Sequence, residues 1–187
     1  MNSQISGVGG WLTLLLSVLL LLACSSEADK DQAPSYRSVE GATMGTYYRV
    51  QYREGQTCAT SQQALDELLT NFNQSLSTYI PDSEISEFNR ANGQSWQSLS
   101  PRFSGVLQAA LQVWRQSEGA FDVTIGPLVN LWGFGPEDAV ELPSPEAQRL
   151  SARWVGMDQL QFDAANSVAL KKANEIYVDL SALAKGL

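Results

Sequence analysis

The sequence predicts an α+β fold, short antiparallel strands mixed with helices, and three observations carry that reading. Tyr48, Val50 and Tyr52 alternate with Arg49, Gln51 and Arg53, the period of a half-buried strand. Two later stretches place apolar residues at helical spacing behind an N-cap. Three short strand-like runs then follow one another near the end of the chain, and regular strand–helix–strand alternation is missing throughout.

Taken in order, the aromatic and β-branched segment Tyr36 to Tyr52, broken by Gly41 and Gly45, predicts a half-buried strand with a glycine-kinked entrance. After the Glu54-Gly55 turn, Ala64, Leu65, Leu68, Leu69, Phe72 and Leu76 predict a helix of about 15 residues with Thr60 or Ser61 as its cap. Pro81 and Asp82 break the chain, and Asp82 or Ser83 can cap a short helix through Phe88 that ends at Asn92-Gly93. Ser100-Pro101 opens a further helix whose buried face is Phe103, Val106, Leu107, Ala110, Leu111 and Trp114, closed by Gly119. Ala120 to Gly135 reads as a structured loop with a short helical piece, and Ser144-Pro145 opens a helix to about Ala152. Gln159–Asp163, Ser167–Lys171 and Glu175–Leu180 read as an antiparallel meander with Asn-containing turns. No internal repeat is visible, which disfavours a solenoid or propeller.

Composition narrows the chemistry. The 187 residues are 44% hydrophobic and 17% charged, enough to bury a core. With 12 Lys and Arg against 20 Asp and Glu, the net charge of −8 repels phosphate backbones, so no nucleic-acid partner is expected. The sequence has no histidine, which removes Ser-His-Asp and Cys-His catalysis and histidine-ligated metal from the residues present.

The start of the chain reads as an address. Trp11 to Ala23 is an apolar run shorter than the roughly 20 residues that span a bilayer, as in a secretory signal. It ends Leu21-Leu22-Ala23-Cys24, which resembles the lipobox of bacterial lipoproteins. Residues 1–23 are therefore expected to be a signal peptide, Cys24 a lipidated first residue, and 24–35 a polar tether, with the folded part at 36–187. That address implies the periplasmic face of a bacterial membrane; Ser25 after the cysteine resembles an outer-membrane sorting signal, and inner and outer membrane both stay open. Cys58 is then left without a disulfide partner inside the chain.

Three clusters stand out for chemistry. In Gly41-Ala42-Thr43-Met44-Gly45-Thr46, glycines permit close backbone approach and Met44 offers a polarizable surface for a flat aromatic ring, or simply a core residue. Asp122 lies amid apolar, glycine-rich sequence from Gly119 to Leu128 and needs a dedicated partner, a ligand or loop amides. In Val178 to Gly186 a strand runs into a helix start, where Asp179 can cap, exposed amides suit an anion such as phosphate, and Lys185 can add a cationic contact or stand solvated.

Together Met44-Gly45-Thr46, Ala120-Phe121-Asp122-Val123-Thr124 with Gly126-Pro127-Leu128 and Trp132-Gly133-Phe134, and Asp179-Leu180-Ser181-Ala182-Leu183-Ala184-Lys185-Gly186 resemble the ApbE family of FAD:protein FMN transferases, over about Ser38 to Leu187. The resemblance implies an ApbE-like, T-fold-like arrangement of mixed antiparallel sheets and helices. It implies a Mg²⁺-dependent reaction in which FAD is split at its pyrophosphate, AMP leaves, and FMN is joined to a Thr or Ser hydroxyl of an exported or membrane acceptor. Implied acceptors are flavoprotein subunits of sodium-pumping NADH:quinone reductase or Rnf type. Carried over to this chain, Met44, Tyr79, Ala120, Phe121, Asp122, Asp179 and Lys185 correspond to FAD contacts, and Ala182 to a backbone carbonyl that binds Mg²⁺; no residue is assigned as catalytic base. Family members are typically longer and carry further Asp and Thr metal ligands towards the C-terminus, so the chain reads as an N-terminal fragment whose own activity is open. The alternatives are a Mg²⁺-dependent FAD pyrophosphatase and a non-catalytic periplasmic FAD-binding lipoprotein.

Overall fold

The computed structural model describes residues 34–55, 60–136 and 141–184. The expected signal segment, Cys24, Cys58 and Lys185 lie outside these described residues.

The segment from Tyr36 is a β-hairpin rather than a single strand: β1 (Tyr36–Thr43) pairs with β2 (Thr46–Arg53) across a two-residue turn, Met44-Gly45. Both turn residues have positive φ, 50° at Met44 and 70° at Gly45, as tight hairpins with right-handed strand twist require. Gly41 also departs from expectation. A Cβ there would stand 2.5 Å from the Tyr48 ring, so this glycine makes room for a cross-strand tyrosine rather than for a ligand.

The described residues divide into two compact units. The small one, residues 34–38 and 50–55, holds the open end of the hairpin. In it Glu54 accepts from the Ser35 hydroxyl at 2.6 Å and pairs with Arg37 at 2.5 Å, exposed contacts that add little stability.

The main unit contains Val39–Arg49 and everything from Thr60 onward. Helix α1 (Gln62–Leu76) begins where the Ser61 hydroxyl accepts from the Ala64 amide, so Ser61 rather than Thr60 is the cap. Asn73 of α1 donates to Thr43 at 3.1 Å, and the Tyr48 hydroxyl donates to Asp66 at 2.6 Å. Helix α2 (Glu84–Arg90) is capped by Ser83, again the second of the two candidates. Helix α3 (Pro101–Gln116) starts at Ser100 with proline at its first position, as expected. Glu84 joins these helices: its carboxylate accepts from Ser75, the Ser100 amide and the Ser100 hydroxyl at 2.6–2.8 Å. At the far end of α3 the chain turns through Gly119, whose amide reaches the Trp114 carbonyl at 2.9 Å with φ at 85°.

The Asp66 contact gives the hairpin a testable signature. The hydrogen bond to Asp66, then burial, then the Asp66 charge push the Tyr48 phenol up to about 12 from the ordinary value near 10. Because the folded value is raised, the stabilisation is complete below pH 10 and is lost as pH rises through about 12. Tyr48→Phe is therefore expected to flatten the alkaline fall in stability over that window. Unfolding midpoints across the window, with phenolate absorbance as a second readout, check it; an unchanged alkaline slope counts against the contact.

A single-turn 3₁₀ helix (Val123–Ile125) leads into α4 (Gly126–Leu131), the short helical piece expected in the loop. Helix α5 (Pro145–Ala152) is capped by Ser144. The second sheet has the order β3-β5-β4, from β3 (Gln97–Ser98), β4 (Leu160–Asp163) and β5 (Val168–Lys171). Phe162 lies opposite Ala169, and Gln97 meets Ala169 from the other side. This corrects the meander: its third strand comes from Gln97–Ser98, and 176–180 is extended without belonging to a ladder. Side chains and loops from elsewhere in the chain take the strand partner's place: Asn89 supplies both hydrogen-bonding groups to Val178, and Val123 accepts from the Asp179 amide.

The core lies between α2, α3, the second sheet and this extended segment. Phe103, Leu107, Ile85, Val178 and Leu180 are fully buried, and Phe88 meets Phe103 edge to face at 5.5 Å. Among the described residues no helix is long and apolar enough to cross a membrane.

Candidate functional site

The hairpin turn, the end of α1, the 3₁₀ turn, α4 and the loops beside them line one cleft of about 1170 Å³ within the main unit. Its walls are the hairpin tip, the end of α1 with the loop Ser77–Ile80, the segment Gly119–Val123, one face of α4, and residues 179–184. A volume of this size suits a dinucleotide-sized ligand.

The cleft brings together every described residue that the resemblance assigned to FAD or metal contact. Met44, Tyr79, Ala120, Phe121, Asp122, Asp179 and Ala182 all line it. They are separated by up to 138 positions (182 minus 44) and come from four different parts of the chain.

Met44 is held at the tip by positive φ, a conformation that disfavours a side chain with a Cβ. The strain is tolerated where hairpin geometry demands it, and it sets a flexible thioether against the cleft. The Thr43–Asn73 bond fastens this tip to α1. Tyr79 is largely exposed, and its hydroxyl donates to the Phe134 main-chain carbonyl at 2.8 Å; Phe134 is exposed too, and both residues line the cleft. With Phe72 and Phe121 they make a surface able to face a flat ring system.

Asp122 finds its partners within the protein. Its Oδ1 accepts from the Thr124 amide at 2.8 Å and the Thr124 hydroxyl at 2.5 Å, and its Oδ2 accepts from the Met157 amide at 3.0 Å. Thr124, fully buried, in turn accepts from the Gly156 amide at 2.6 Å. Of the two readings open in the sequence, loop amides account for this carboxylate. It shapes the cleft by tying the 3₁₀ turn to Gly156-Met157.

Asp179 Oδ1 accepts from the Ser181 amide at 2.8 Å and so caps α6 (Ser181–Ala184). The amide expected to greet an anion is thus met by the chain's own carboxylate. Asp122 and Asp179 are the charged side chains lining the described cleft, both acidic. A diphosphate seated beside them needs positive charge from outside this set. Hard oxygen donors such as the Ala182 carbonyl suit Mg²⁺, but the described residues hold no cluster of three Asp, Glu, His or Cys, so they make up at most part of a metal site.

Behind the cleft sits Tyr177. Burial first, then the Asp179 charge, push its phenol up, against side-chain hydrogen bonds with Asn89, Asn130 and Thr78. Phe72 and Thr78 were not anticipated as site residues. Phe72 reads in sequence as one more member of α1's buried stripe, and nothing local distinguishes a core-facing position from a cleft-facing one at the end of a helix.

Comparison with known proteins agrees with this geometry. The family model described as ApbE family matches residues 44–187. The chain is similar to the FAD:protein FMN transferase of Haemophilus influenzae, 40% identical over 194 aligned positions that take in 100% of this chain and 53% of that protein. It is 39% identical to the FAD:protein FMN transferase of Vibrio cholerae, over 94% of this chain and 52% of that one. Among solved structures it resembles flavin transferase ApbE from Vibrio cholerae, with a TM-score of 0.76, 37% identity, and coverage of 82% of this chain and 50% of the other. The apo flavinyl transferase ApbE of Pseudomonas stutzeri follows with a TM-score of 0.72 and 28% identity, covering 82% of this chain and 50% of that one. The chain spans about half the length of the curated relatives it matches. With the family model matching from the hairpin tip to Leu187 and these relatives aligned over nearly all of the chain, the protein belongs to the ApbE family.

Proposed function

We propose that this chain forms the flavin-holding part of an FAD:protein FMN transferase. The observation that carries the reading is the cleft of about 1170 Å³ that gathers Met44, Tyr79, Ala120, Phe121, Asp122, Asp179 and Ala182. Its lining combines apolar and aromatic side chains with two carboxylates, a mixture that suits a ligand with a flat ring and a polar, metal-bound diphosphate.

In the proposed reaction the hydroxyl oxygen of a Thr or Ser on the acceptor forms a bond to the flavin-side phosphorus of FAD. The bond from that phosphorus to the bridging oxygen breaks, AMP leaves with that oxygen, and the hydroxyl proton passes to a base. The chain's part is positional: Met44, Tyr79 and Phe121 hold the ring, while Asp179 and its capped turn fix the wall beside the diphosphate. Mg²⁺, which the Ala182 carbonyl would help to hold, would neutralise charge on the diphosphate. Lys185 is the candidate cation of the chain itself. The acceptors we propose are flavoprotein subunits of sodium-pumping NADH:quinone reductase or Rnf type, met at the periplasmic face of a membrane to which Cys24 anchors the protein by lipid.

The test is a denaturing gel imaged for flavin fluorescence after incubation with FAD, Mg²⁺ and an acceptor domain bearing an Asp-x-x-[Ser/Ala]-x-Thr target. A fluorescent acceptor band that disappears with a chelator is the expected result. Free FMN with a dark acceptor band would instead identify a pyrophosphatase, and unchanged FAD a flavin-binding protein. Asp179→Ala is expected to weaken FAD binding about tenfold, the scale of one lost interaction in a coupled site. Fluorescence titration with FAD checks it, and a near-normal affinity refutes the role given to Asp179.

A further inference from the structure

The segment that carries Asp179 has no sheet to hold it. Residues 176–180 run extended outside any ladder, yet Ile176, Val178 and Leu180 are completely buried. Extended backbone in such a place needs partners for its amides and carbonyls. At Val178 both come from one side chain: Asn89 Oδ1 accepts from the Val178 amide at 2.8 Å, and Asn89 Nδ2 donates to the Val178 carbonyl at 2.9 Å. The carboxamide thus reproduces the paired bonds of a neighbouring strand.

Asn89 is itself held fast. It belongs to α2, is buried, and its backbone carbonyl accepts from the Lys171 ammonium at 2.5 Å. Lys171 Nζ also donates to Asn174 at 3.3 Å and lies 5.9 Å from the centre of the Phe88 ring, so a buried cation is spent on fixing this corner. The Asn89 side chain also meets Tyr177, which contacts Thr78 beside Tyr79 in the cleft wall. On the other side of the clamp, the Asp179 amide donates to the Val123 carbonyl at 2.8 Å and the Asp179 carboxylate caps Ser181.

We propose that Asn89 is a positioning residue for the cleft: by holding both polar groups of Val178 it sets where Asp179 and the Ser181–Ala184 turn stand against a bound ligand. Asn89 does not line the cleft and acts through the backbone. The flavin part of this inference rests on the proposed function above; the backbone part does not.

The experiment is a double-mutant cycle on the full chain with Asn89→Ala, Asp179→Ala and both together, read by fluorescence titration with FAD. Asn89→Asp is the second variant: it keeps side-chain volume and the acceptor for the Val178 amide and loses the donor to the Val178 carbonyl. Each single variant is expected to weaken FAD binding about tenfold, and the double variant to be no weaker than the worse single one. A general loss of structure would instead multiply the two effects, so multiplicative losses overturn the proposal, as does unchanged affinity in both Asn89 variants. Amide hydrogen exchange in ligand-free protein gives the independent readout. In either Asn89 variant, Val178 to Ser181 should exchange faster while Phe103 to Leu107 of α3 stay protected. Unchanged protection at Val178 to Ser181 overturns the proposal. Selective loss of protection in a protein that binds no FAD upholds the clamp and removes the flavin reading instead.

Discussion

Asp122→Ala is expected to lower the free energy of unfolding by about 3 kcal/mol, because it strands buried donors rather than removing a surface charge. Thr124 is fully buried and Met157 nearly so. Without the carboxylate, the Thr124 and Met157 amides lose their acceptor and the Thr124 hydroxyl must find another. Each unsatisfied buried donor costs about 1–3 kcal/mol, so a total near 3 assumes that water reaches part of the gap from the cleft side. Asp122→Asn should lose less. Its Oδ1 can still serve Thr124, while its NH₂ faces the Met157 amide, donor against donor. Urea unfolding of the three proteins checks the order, and an Asp122→Ala loss under about 0.5 kcal/mol, an ordinary surface value, would show that the network does not tie the loop. Since Gly119–Val123 and Val155 both line the cleft, a confirmed loss makes this carboxylate a builder of the cleft.

Gly126→Ala, the second large effect, turns on space rather than on hydrogen bonds. Gly126 has helical backbone angles, φ −45° and ψ −42°, so alanine is conformationally welcome and gains up to about 1 kcal/mol of helix propensity. The new methyl group, however, would lie 2.4 Å from Tyr177 Cδ1 and 2.6 Å from the Tyr177 carbonyl oxygen. The oxygen is main chain and immediately precedes Val178, which Asn89 grips at both polar groups, so it cannot move aside cheaply. Overpacking of this kind costs about 1–3 kcal/mol and should outweigh the propensity gain, leaving a net loss of about 1 kcal/mol. A midpoint of urea unfolding equal to or above that of the unaltered protein would mean that the Tyr177 segment is softer than its contacts imply.

The two variants separate what the sequence says locally from what it leaves to the fold. Asp122 is conspicuous in the sequence because a carboxylate amid apolar and glycine residues must be paired, and that demand is local physics. Which partners meet it is not local: Met157 lies 35 positions away. Gly126 reads as a helix-start residue beside Pro127, and its second duty of leaving room for Tyr177 depends on a segment some 50 positions downstream.

The secondary structure divides along the same line. Helices α1, α2, α3 and α5 are legible, the last two with a single cap and the first two with a pair of candidates, because a serine hydroxyl three residues before the amide it accepts from is a short-range signal. The hairpin turn is not legible in sequence because Met-Gly is not among the usual pairs for two positive φ values, and the tip keeps methionine where asparagine would be easier. The two-residue strand Gln97–Ser98 exists only because β5 offers it an edge. Val178's neighbourhood carries a strand's periodicity, yet its pairing was taken by the Asn89 side chain from 89 positions away.

The sequence by itself determined the α+β class, most helix boundaries and the residue types of the cleft, because caps, periodicity and the cost of burying charge act over a few residues. The tertiary structure alone decided that Met44, Tyr79, Asp122, Asp179 and Ala182 face one cleft, which glycines give way to tyrosines, and that an asparagine replaces a strand. Those outcomes depend on which distant groups pack together, and shape complementarity and hydrogen-bond pairing across the fold are not written in any short stretch of chain.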